Sequence, residues 1–278
     1  MTSSVLARLP GASAENMPEG RQESWLAVWL RGIAGVVELE VRKLWHDPTE
    51  VFTRAVQPAL WLLIFGEAFS RLRAIPTGGV SYLTFMAPGI LAQSMMFISI
   101  FFGIAIIWER DLGLMQKMLA LPLPRSVFIL GKALAAGVRS LAQVVVVIII
   151  SLLIEIPLRW QLVPLLGVIA TVMIGAMIFA SFSMILASIV KTRERFMGLG
   201  QLFTMPFFFA SNALYPISIM PPWLQVLSRI NPLTYVVNLL RGFLVTGQVN
   251  ASADFGILIV VAVVMVVVAT KLYPTAIY

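Results

Sequence analysis

Six stretches of the chain are long and apolar enough to predict membrane-spanning helices. A helix that crosses the hydrocarbon core of a bilayer needs about 20 mainly apolar residues. The stretches that meet this requirement are approximately residues 51–70, 83–107, 133–154, 162–190, 197–217 and 254–273. Because backbone polar groups find no water in hydrocarbon, each stretch is predicted to be helical. The pattern therefore predicts an all-α integral membrane protein, with residues 47–278 as a six-span transmembrane domain.

Composition supports membrane residence and excludes several kinds of site. Of the 278 residues, 59% are hydrophobic and 12% are charged, whereas soluble domains are about 45–50% apolar and about 25% charged. The chain contains no cysteine, which excludes disulfides and thiolate chemistry. It contains a single histidine, His46, which excludes a metal site built from several histidines.

Lysine and arginine are distributed unequally between the two predicted sides of the membrane. Fifteen of them fall in the N-terminal region as far as Arg54, in the loops after the second and fourth spans with Arg139 just beyond the first of these loops, and at Lys271 at the end of the last span. The other five are Arg71, Arg73, Arg159, Arg229 and Arg241. The positive-inside rule then places both termini in the cytoplasm. In a membrane protein the positions of the charges matter more than the net charge of +7, so we do not predict nucleic-acid binding from it.

The N-terminal region is predicted to contain a polar cytoplasmic tail, residues 1–23, and an amphipathic helix, residues 24–46. Arg31, Glu38 and Arg42 share the polar face of this helix, and Trp25 and Trp29 lie on the apolar face. Tryptophan favours the head-group region, so the helix is predicted to lie flat on the cytoplasmic surface. Glu40 falls on the apolar side, which this arrangement does not explain.

The cytoplasmic segment 109–125 carries a second amphipathic pattern. It opens with the charged triplet Glu109, Arg110 and Asp111 and ends at Pro122 and Pro124. Between them, apolar residues recur at helical spacing: Leu112, Leu114, Met115, Met118 and Leu119. The pattern is compatible with an interfacial helix in the head groups and equally with a helix docked in a groove of a soluble partner.

The outer segment 219–247 is predicted to form a helical hairpin. Proline residues stand at two predicted helix starts, Pro222 and Pro232, and Asn231 can cap the second helix. Each helix is too short to cross the membrane, so the hairpin is predicted to dip into the outer leaflet. The pattern leaves open whether it is a gate or a structural lid.

Two further sets of residues also have more than one interpretation. Phe101, Phe102, Phe207 and Phe208 could line a path for an apolar substrate, or could pack against lipid and neighbouring helices. Lys132 and Arg139 lie near the inner end of the third span, where long side chains can reach the interface.

Several motifs resemble those of one transporter family. They are residues 82–90 (YLTFMAPGI), Glu109–Gly113 followed by Leu121 and Pro122, Pro222–Leu224, and Asn231–Tyr235 followed by Arg241. In this order and spacing they resemble the transmembrane subunits of ATP-binding-cassette type-2 exporters, which include drug-resistance, nodulation-factor and polysaccharide export permeases. Many relatives have threonine where this chain has Leu114.

The resemblance implies a non-enzymatic permease of a bacterial-type inner membrane. A second permease copy, in a homodimer, and two nucleotide-binding ATPase subunits are the expected partners. The residues implied to couple with these subunits are Glu109, Arg110, Asp111, Leu112, Gly113, Met115, Leu121 and Pro122, and the outer gate would comprise Pro222, Trp223, Asn231, Pro232, Tyr235 and Arg241.

The expected substrate is amphipathic: a hydrophobic drug, a lipid or a lipid-linked glycan. The chain has no glycine-rich phosphate loop ending in Lys-Ser/Thr, so no cofactor is expected in it, and ATP and Mg²⁺ would bind the partner. The alternative is an ion- or proton-coupled carrier that works without an ATPase.

Overall fold

The computed structural model describes residues 25–46, 49–66, 68–69, 75–114, 117, 124–190 and 192–273. All regular secondary structure in these ranges is helical, which agrees with the predicted all-α class. The predicted tail 1–23 and the predicted coupling residues Met115, Leu121 and Pro122 lie outside the described residues.

Ten α-helices make up the described part of the chain. Their bounds are α1 Trp25–His46, α2 Thr49–Leu60, α3 Tyr82–Phe101, α4 Gly103–Asp111, α5 Arg125–Leu153, α6 Leu162–Ile189, α7 Arg193–Phe209, α8 Pro222–Ile230, α9 Pro232–Arg241 and α10 Ala251–Leu272. A π-helical segment, Trp61–Gly66, prolongs α2, and another, Gly242–Thr246, prolongs α9. A 3₁₀ turn covers Ile217–Ile219.

Polar side chains start several of these helices, as the sequence indicates. The Ser81 hydroxyl accepts a hydrogen bond from the Thr84 amide at the start of α3, and the Thr192 hydroxyl accepts one from the Arg195 amide at the start of α7. These bonds satisfy amide groups that have no partner within the first turn of a helix.

Four helices in the described residues are long and apolar enough to cross a membrane. They are Tyr82–Asp111, which comprises α3 and α4, Arg125–Leu153, Leu162–Ile189 and Ala251–Leu272. They correspond to the second, third, fourth and sixth predicted spans.

The first and fifth predicted spans are not among these four helices. In the first, α2 and the π-helical segment after it are helical from Thr49 to Gly66, and the apolar part of this stretch is Val56–Gly66. In the fifth, α7 ends at Phe209 and not near residue 217, and its 17 residues extend about 26 Å. The hydropathy of residues 210–217 extended the predicted span beyond the helix, although Tyr215 and Pro216 lie in an irregular connection.

Helix α3 lies at the centre of the bundle. Its apolar window, together with α4, is 78% buried, whereas that of α10 is 17% buried. Helices α5, α6, α7 and α9 pack around α3, and α10 packs mainly on α6. Apolar side chains on the outer face of α10, among them Val260 and Val263, are exposed, as expected of a helix that faces lipid.

Small residues allow α6 to approach α3 closely. The Ser183 hydroxyl on α6 donates a hydrogen bond to the Ile100 carbonyl on α3. A side chain in place of the hydrogen of Gly175 would meet Met95 on α3 and Val236 on α9. This packing agrees with the small-residue spacing on α6, which favours close contact between helices in a membrane.

The segment predicted as an outer hairpin consists of α8 and α9, which are separated at Asn231. The Asn231 side chain accepts a hydrogen bond from the Leu233 amide and donates one to the Phe207 carbonyl. It therefore caps α9 and ties the hairpin to α7. Pro232 occupies the first turn of α9, where the lack of an amide hydrogen costs nothing.

Of three further predicted hairpin residues, Arg241 holds this segment against the bundle, Tyr235 joins α9 to α8, and Trp223 does neither. Arg241 donates hydrogen bonds to the Phe85 and Asn212 carbonyls, and its guanidinium lies 3.8 Å from the Phe85 ring centroid. The Tyr235 hydroxyl donates to the Arg229 carbonyl. Trp223, by contrast, is exposed.

Candidate functional site

Five charged side chains from α1, α4 and α5 converge at one end of the bundle. The ammonium nitrogen of Lys132 lies 2.6 Å from Glu109 Oε2 and 3.8 Å from Glu40 Oε1. The ammonium nitrogen of Lys43 lies 2.9 Å from Glu40 Oε1 and 3.4 Å from Glu109 Oε1. Arg139 Nη2 donates to Glu40 Oε2 at 3.2 Å. We call Glu40, Lys43, Glu109, Lys132 and Arg139 the ionic network.

Most of the ionic network is removed from solvent. Lys132 is completely buried, and Glu40 and Glu109 are 1% and 5% exposed. The Phe102 ring covers one side, with its centroid 5.9 Å from the Lys132 nitrogen and 5.4 Å from the Arg139 guanidinium carbon. Buried charges are tolerated when they are paired and hydrogen-bonded. The network therefore depends on each of its members for charge compensation.

Helical spacing explains how three helices assemble the network. Glu40 and Lys43 are three positions apart on α1, and Lys132 and Arg139 are seven apart on α5. Residues at these separations lie on one face of a helix. Glu40 thus occupies the side of α1 that packs on α5, which accounts for an acidic residue on an otherwise apolar face.

The network changes the interpretation of two span residues. Lys132 and Arg139 were predicted to extend toward the interface, but both side chains turn inward to carboxylates of other helices. That prediction is wrong for Lys132, which has no exposed surface. In that position the carboxylates of Glu109 and Glu40 supply the countercharge that a buried ammonium group requires.

The pKa values of the Glu40 carboxylate and the Lys43 ammonium group are both shifted in the direction that favours the charged form. Burial acts to raise the pKa of Glu40, but attraction to Lys132, Lys43 and Arg139 outweighs it and lowers the pKa below its ordinary value of 4.5. Burial acts to lower the pKa of Lys43, but its hydrogen bond and attraction to Glu40 and Glu109 raise the pKa above 10.5.

These directions predict how Glu40 affects stability as pH changes. A carboxylate with a lowered pKa contributes stability above its unfolded-state pKa and loses that contribution as pH falls through its folded-state pKa. We expect the difference in melting temperature between the wild type and Glu40→Gln to stay constant from about pH 6 to about pH 9 and to shrink below about pH 4.5. A difference that already shrinks between pH 7 and pH 6 would contradict this charge assignment.

A second set of contacts lies at the exposed end of α4. Asp111 Oδ2 accepts a hydrogen bond from Arg193 Nη2 at 3.0 Å, and the Arg193 guanidinium lies 3.5 Å from the Trp108 ring centroid. Arg110 Nη1 donates to the Val190 carbonyl at 3.3 Å. These contacts hold the connection between α6 and α7 against the end of α4.

The end of α4 presents apolar side chains to its surroundings. Leu112 is 64% exposed and Leu114 is 41% exposed. Gly113 has a φ of 69°, a left-handed conformation that glycine adopts without strain, and the helix stops there. Helix α4 thus ends just before Leu112, and we call Asp111 and Leu112 the α4 tip.

The predicted coupling residues therefore divide into two groups. Glu109 is buried in the ionic network and Arg110 is mostly buried against Val190, so both side chains serve internal contacts. Asp111 and Leu112 are exposed. Among the four coupling side chains from Glu109 to Leu112, the second pair is the one exposed to a docking partner in this conformation.

The predicted interface helix, α1, packs on α5 along its length. Trp29 Nε1 donates to the Ser126 hydroxyl at 3.2 Å, and Gly131 on α5 leaves space for Val36. On the opposite face, Glu38 and Arg42 form an exposed ion pair at 2.6 Å, and Arg31 is exposed. Helix α1 is therefore an integral part of the packing around the ionic network.

The four phenylalanines proposed for a substrate path lie in two places. Phe102 is buried against the ionic network, and Phe101 stacks on Phe97 of the same helix. Phe207 packs edge-on against Phe179 and Phe182 of α6, and Phe208 packs against Trp61. The structure brings no more than two of the four together at any one point.

Sequence reasoning identified Glu109 but not its partners. The available signal was the unexplained Glu40 on an apolar face together with two cations in the third span. Among the described residues, no group of three or more His, Asp or Glu side chains is arranged to hold a metal ion.

Comparison with known proteins covers the part of the chain that contains the contacts described above. The sequence profile of the ABC-2 type transporter family matches residues 33–245, which include all of the ionic network, the end of α4 and helices α8 and α9. A family profile that covers this much of a chain assigns the family on its own.

Individual relatives are transport proteins of moderate similarity. Nodulation protein J of Neorhizobium galegae is 27% identical over 82% of this chain and 84% of its own length. The inner membrane transport permease YadH of Escherichia coli K12 is 26% identical over 77% and 82%. The transport permease ycf38 of Porphyra purpurea is 27% identical over 76% and 73%. With four membrane-length helices and the profile match together, this chain is a membrane transport permease of the ABC-2 type transporter family.

Proposed function

We propose that this chain is the permease subunit of an ATP-driven exporter. Two separate nucleotide-binding ATPase subunits would bind it, a second permease copy would complete the transport path, and the substrate would be amphipathic. ATP and Mg²⁺ would be held by the ATPase subunits. Membership of the family supports the pairing with ATP-binding subunits, because such permeases normally work with them.

One observation carries the proposal. The exposed tip of α4, at Asp111 and Leu112, directly continues the membrane-length helix Tyr82–Asp111. One turn before the tip, Glu109 binds Lys132 of α5 and Lys43 of α1. A partner that pushes on the tip would therefore act on three helices at once, through buried and paired charges that resist separation.

The topology belongs to the same proposal. Six crossings, with α2 and α7 as the two short ones, would place both termini and the α4 tip on the cytoplasmic side, in agreement with the lysine and arginine distribution. The α8–α9 hairpin would then lie in the outer leaflet and act as the outer gate. The inner membrane is the proposed location, and the name of the E. coli relative supports it.

Co-purification of the tagged chain from its native cells tests the proposal. We expect an ATPase subunit with a phosphate-binding loop to be recovered in stoichiometric amount. Leu112→Asp, which places a charge on the apolar tip, is expected to reduce that recovery by at least about tenfold, because a charge buried in an apolar groove is not compensated.

A second exposed leucine provides a matched control. Leu162 at the start of α6 is 72% exposed and lies at the opposite end of its helix from the Val190 connection, so Leu162→Asp is expected to leave ATPase recovery unchanged. Equal recovery with Leu112→Asp would refute the docking site. No ATPase with the wild type, even after cross-linking, would refute the exporter.

An ion- or proton-coupled carrier is the alternative function. Uptake or release of substrate by the purified chain in ATP-free vesicles, driven by a pH gradient alone, would favour that alternative. The ionic network does not favour it, because Glu40 and Lys43 hold pKa values shifted away from neutrality.

A further inference from the structure

A cavity with several polar side chains lies between α2, α3 and α5, where Gln143 is one helical turn from Arg139 of the ionic network. Its volume is about 260 Å³. The polar side chains that line it are Thr53 and Gln57 of α2, Gln93 and Ser94 of α3, and Gln143 of α5, with Phe97 beside them. Among the described residues that line it, none is Asp, Glu, Lys, Arg or His. The described lining is therefore polar without being charged.

Two of these glutamines are buried with amide groups that have no partner. Gln93 is 2% exposed and Gln143 is 1% exposed. Gln93 Nε2 and both Nε2 and Oε1 of Gln143 make no hydrogen bond to the described residues. Buried polar side chains in proteins nearly always have hydrogen-bond partners, and an unpaired amide in an apolar surrounding is unfavourable. Ser94, in contrast, donates to the Ile90 carbonyl within its own helix.

The unpaired atoms define the chemistry of a suitable guest. Two amide groups donate and one carbonyl accepts, and a hydroxyl group can do both. The described lining residues offer no countercharge to an anionic or cationic group, and burial of an uncompensated charge is strongly unfavourable. The volume corresponds to roughly nine waters at the share that each occupies in the liquid. A neutral group with several hydroxyls fits the size and the hydrogen-bonding pattern.

A second, mainly apolar cavity adjoins the first along the outer side of α2. It has a volume of about 530 Å³ and shares Thr53 and Gln57 with the polar cavity. Val56 and Leu60, which line it, are 57% and 49% exposed. An alkyl chain attached to a group in the polar cavity could follow this apolar surface without crossing another polar site.

We propose that the polar cavity binds the neutral, hydroxyl-bearing head group of the amphipathic substrate, while the alkyl part lies along α2. This inference rests on the proposed transport function and narrows its substrate class to molecules with an uncharged, hydroxylated head. Gln93 and Gln143 are the residues that select this head group.

Binding of a simple probe to the purified full-length chain tests the proposal. In an amine-oxide detergent, which has no hydroxyl group, octyl β-D-glucoside and octyl phosphate would be titrated below their micelle-forming concentrations and counted by native mass spectrometry. We expect saturable binding of the glucoside to the wild type. Gln143→Leu and Gln93→Leu are each expected to weaken it by about tenfold, because hydrogen bonds to the head group are lost.

Controls separate binding from folding and from charge. Gln201 on α7 is exposed and outside the cavity, so Gln201→Leu is expected to leave glucoside binding unchanged. Gln143→Leu is expected to keep or raise the melting temperature, since it replaces an unpaired buried amide by an apolar group of similar size. The affinity of the wild type for octyl phosphate is expected to be no higher than the affinity of Gln143→Leu for octyl phosphate.

Several results would overturn the proposal. Equal glucoside binding by the wild type and both glutamine variants would mean that the cavity holds only water. A melting temperature lowered by Gln143→Leu would mean that the amide serves the fold. Tighter binding of octyl phosphate than of the glucoside at this cavity would exclude a neutral head group.

The experiment is independent of the test for the exporter. Glucoside binding is measured without any ATPase, so intact binding in a chain that recruits no ATPase would count against the proposed function alone. Conversely, normal ATPase recovery together with equal glucoside binding by the wild type and both glutamine variants would count against the proposed head-group site alone.

Discussion

Replacement of Lys132 by methionine is expected to lower the free energy of unfolding by about 3–5 kcal/mol. Lys132 is completely buried and binds Glu109 at 2.6 Å and Glu40 at 3.8 Å. Methionine fills a similar volume but leaves both carboxylates with less compensating charge. Removing one partner of a buried ion pair costs far more stability than replacing both partners by apolar residues. The reason is that the remaining charge stays buried without a partner.

Chemical unfolding of the purified chain in detergent micelles measures this loss, and an exposed ion pair provides the control. Arg42 pairs with Glu38 at 2.6 Å, but both side chains are largely exposed. Arg42→Met is therefore expected to change stability by less than about 1 kcal/mol. Similar losses for Lys132→Met and Arg42→Met would contradict the burial of the network.

A double variant tests whether the loss comes from the unpaired carboxylate. Glu109→Gln in the Lys132→Met background removes the charge that Lys132 compensates most closely. We expect the double variant to be more stable than Lys132→Met alone, because the two residues interact directly. If the two effects simply added, the stabilisation by Lys132 would have to come from packing and not from charge.

Replacement of Gly89 by alanine is expected to destabilise the chain by about 1–3 kcal/mol. An added Cβ would lie 2.5 Å from the Ala213 carbonyl oxygen and 2.8 Å from Ala213 Cα. These are backbone atoms, so a side-chain rotation cannot relieve the clash. The neighbouring Asn212 carbonyl accepts a hydrogen bond from Arg241 at 2.8 Å, which holds this backbone in place.

Thermal unfolding of Gly89→Ala beside Gly256→Ala checks the prediction. Gly256 on α10 is exposed, and an added Cβ there would meet nothing within 4 Å. Gly256→Ala is expected to be neutral or to stabilise by about 0.5–1 kcal/mol, because alanine loses less backbone freedom in a helix. Equal changes in stability for Gly89→Ala and Gly256→Ala would refute the close approach of α3 to residues 210–216.

Gly89 also bears on the hairpin. The connection that it touches leads from α7 to α8, and Arg241 of α9 binds both sides of the contact, at Phe85 and Asn212. The position of the proposed outer gate therefore depends on a glycine in the centre of α3. The residue pattern around Pro88 and Gly89 contributed to the family resemblance, but it contained no information about this contact.

Much of the secondary structure could be predicted from the sequence. Long apolar runs indicated α3 with α4, α5, α6 and α10, since hydrocarbon leaves helices as the way to pair every backbone group. Asn231 and Pro232 indicated the break between α8 and α9 through capping. The lengths of the first and fifth spans were less predictable, because hydropathy alone does not show where an apolar segment stops being helical.

For the proposed coupling segment, the sequence did not indicate which side chains are buried and which are exposed. The sequence placed Glu109, Arg110, Asp111 and Leu112 together, and the structure turns two of them inward and two outward. Adjacent residues on a helix point in different directions, so their partners depend on how the helix is rotated against its neighbours. The coupling function itself stays a prediction.

The sequence by itself determined that this is an all-α membrane chain of a recognisable transporter type, because hydropathy, helix caps and motif order are local properties. Only the tertiary structure decided which charges meet. Glu40 pairs with Arg139 across 99 positions, and Lys43 pairs with Glu109 across 66. Such pairs form only when two helices pack with the right relative height and rotation. The local sequence pattern determines neither of these. The same packing decided that Gln93 and Gln143 share one uncharged cavity.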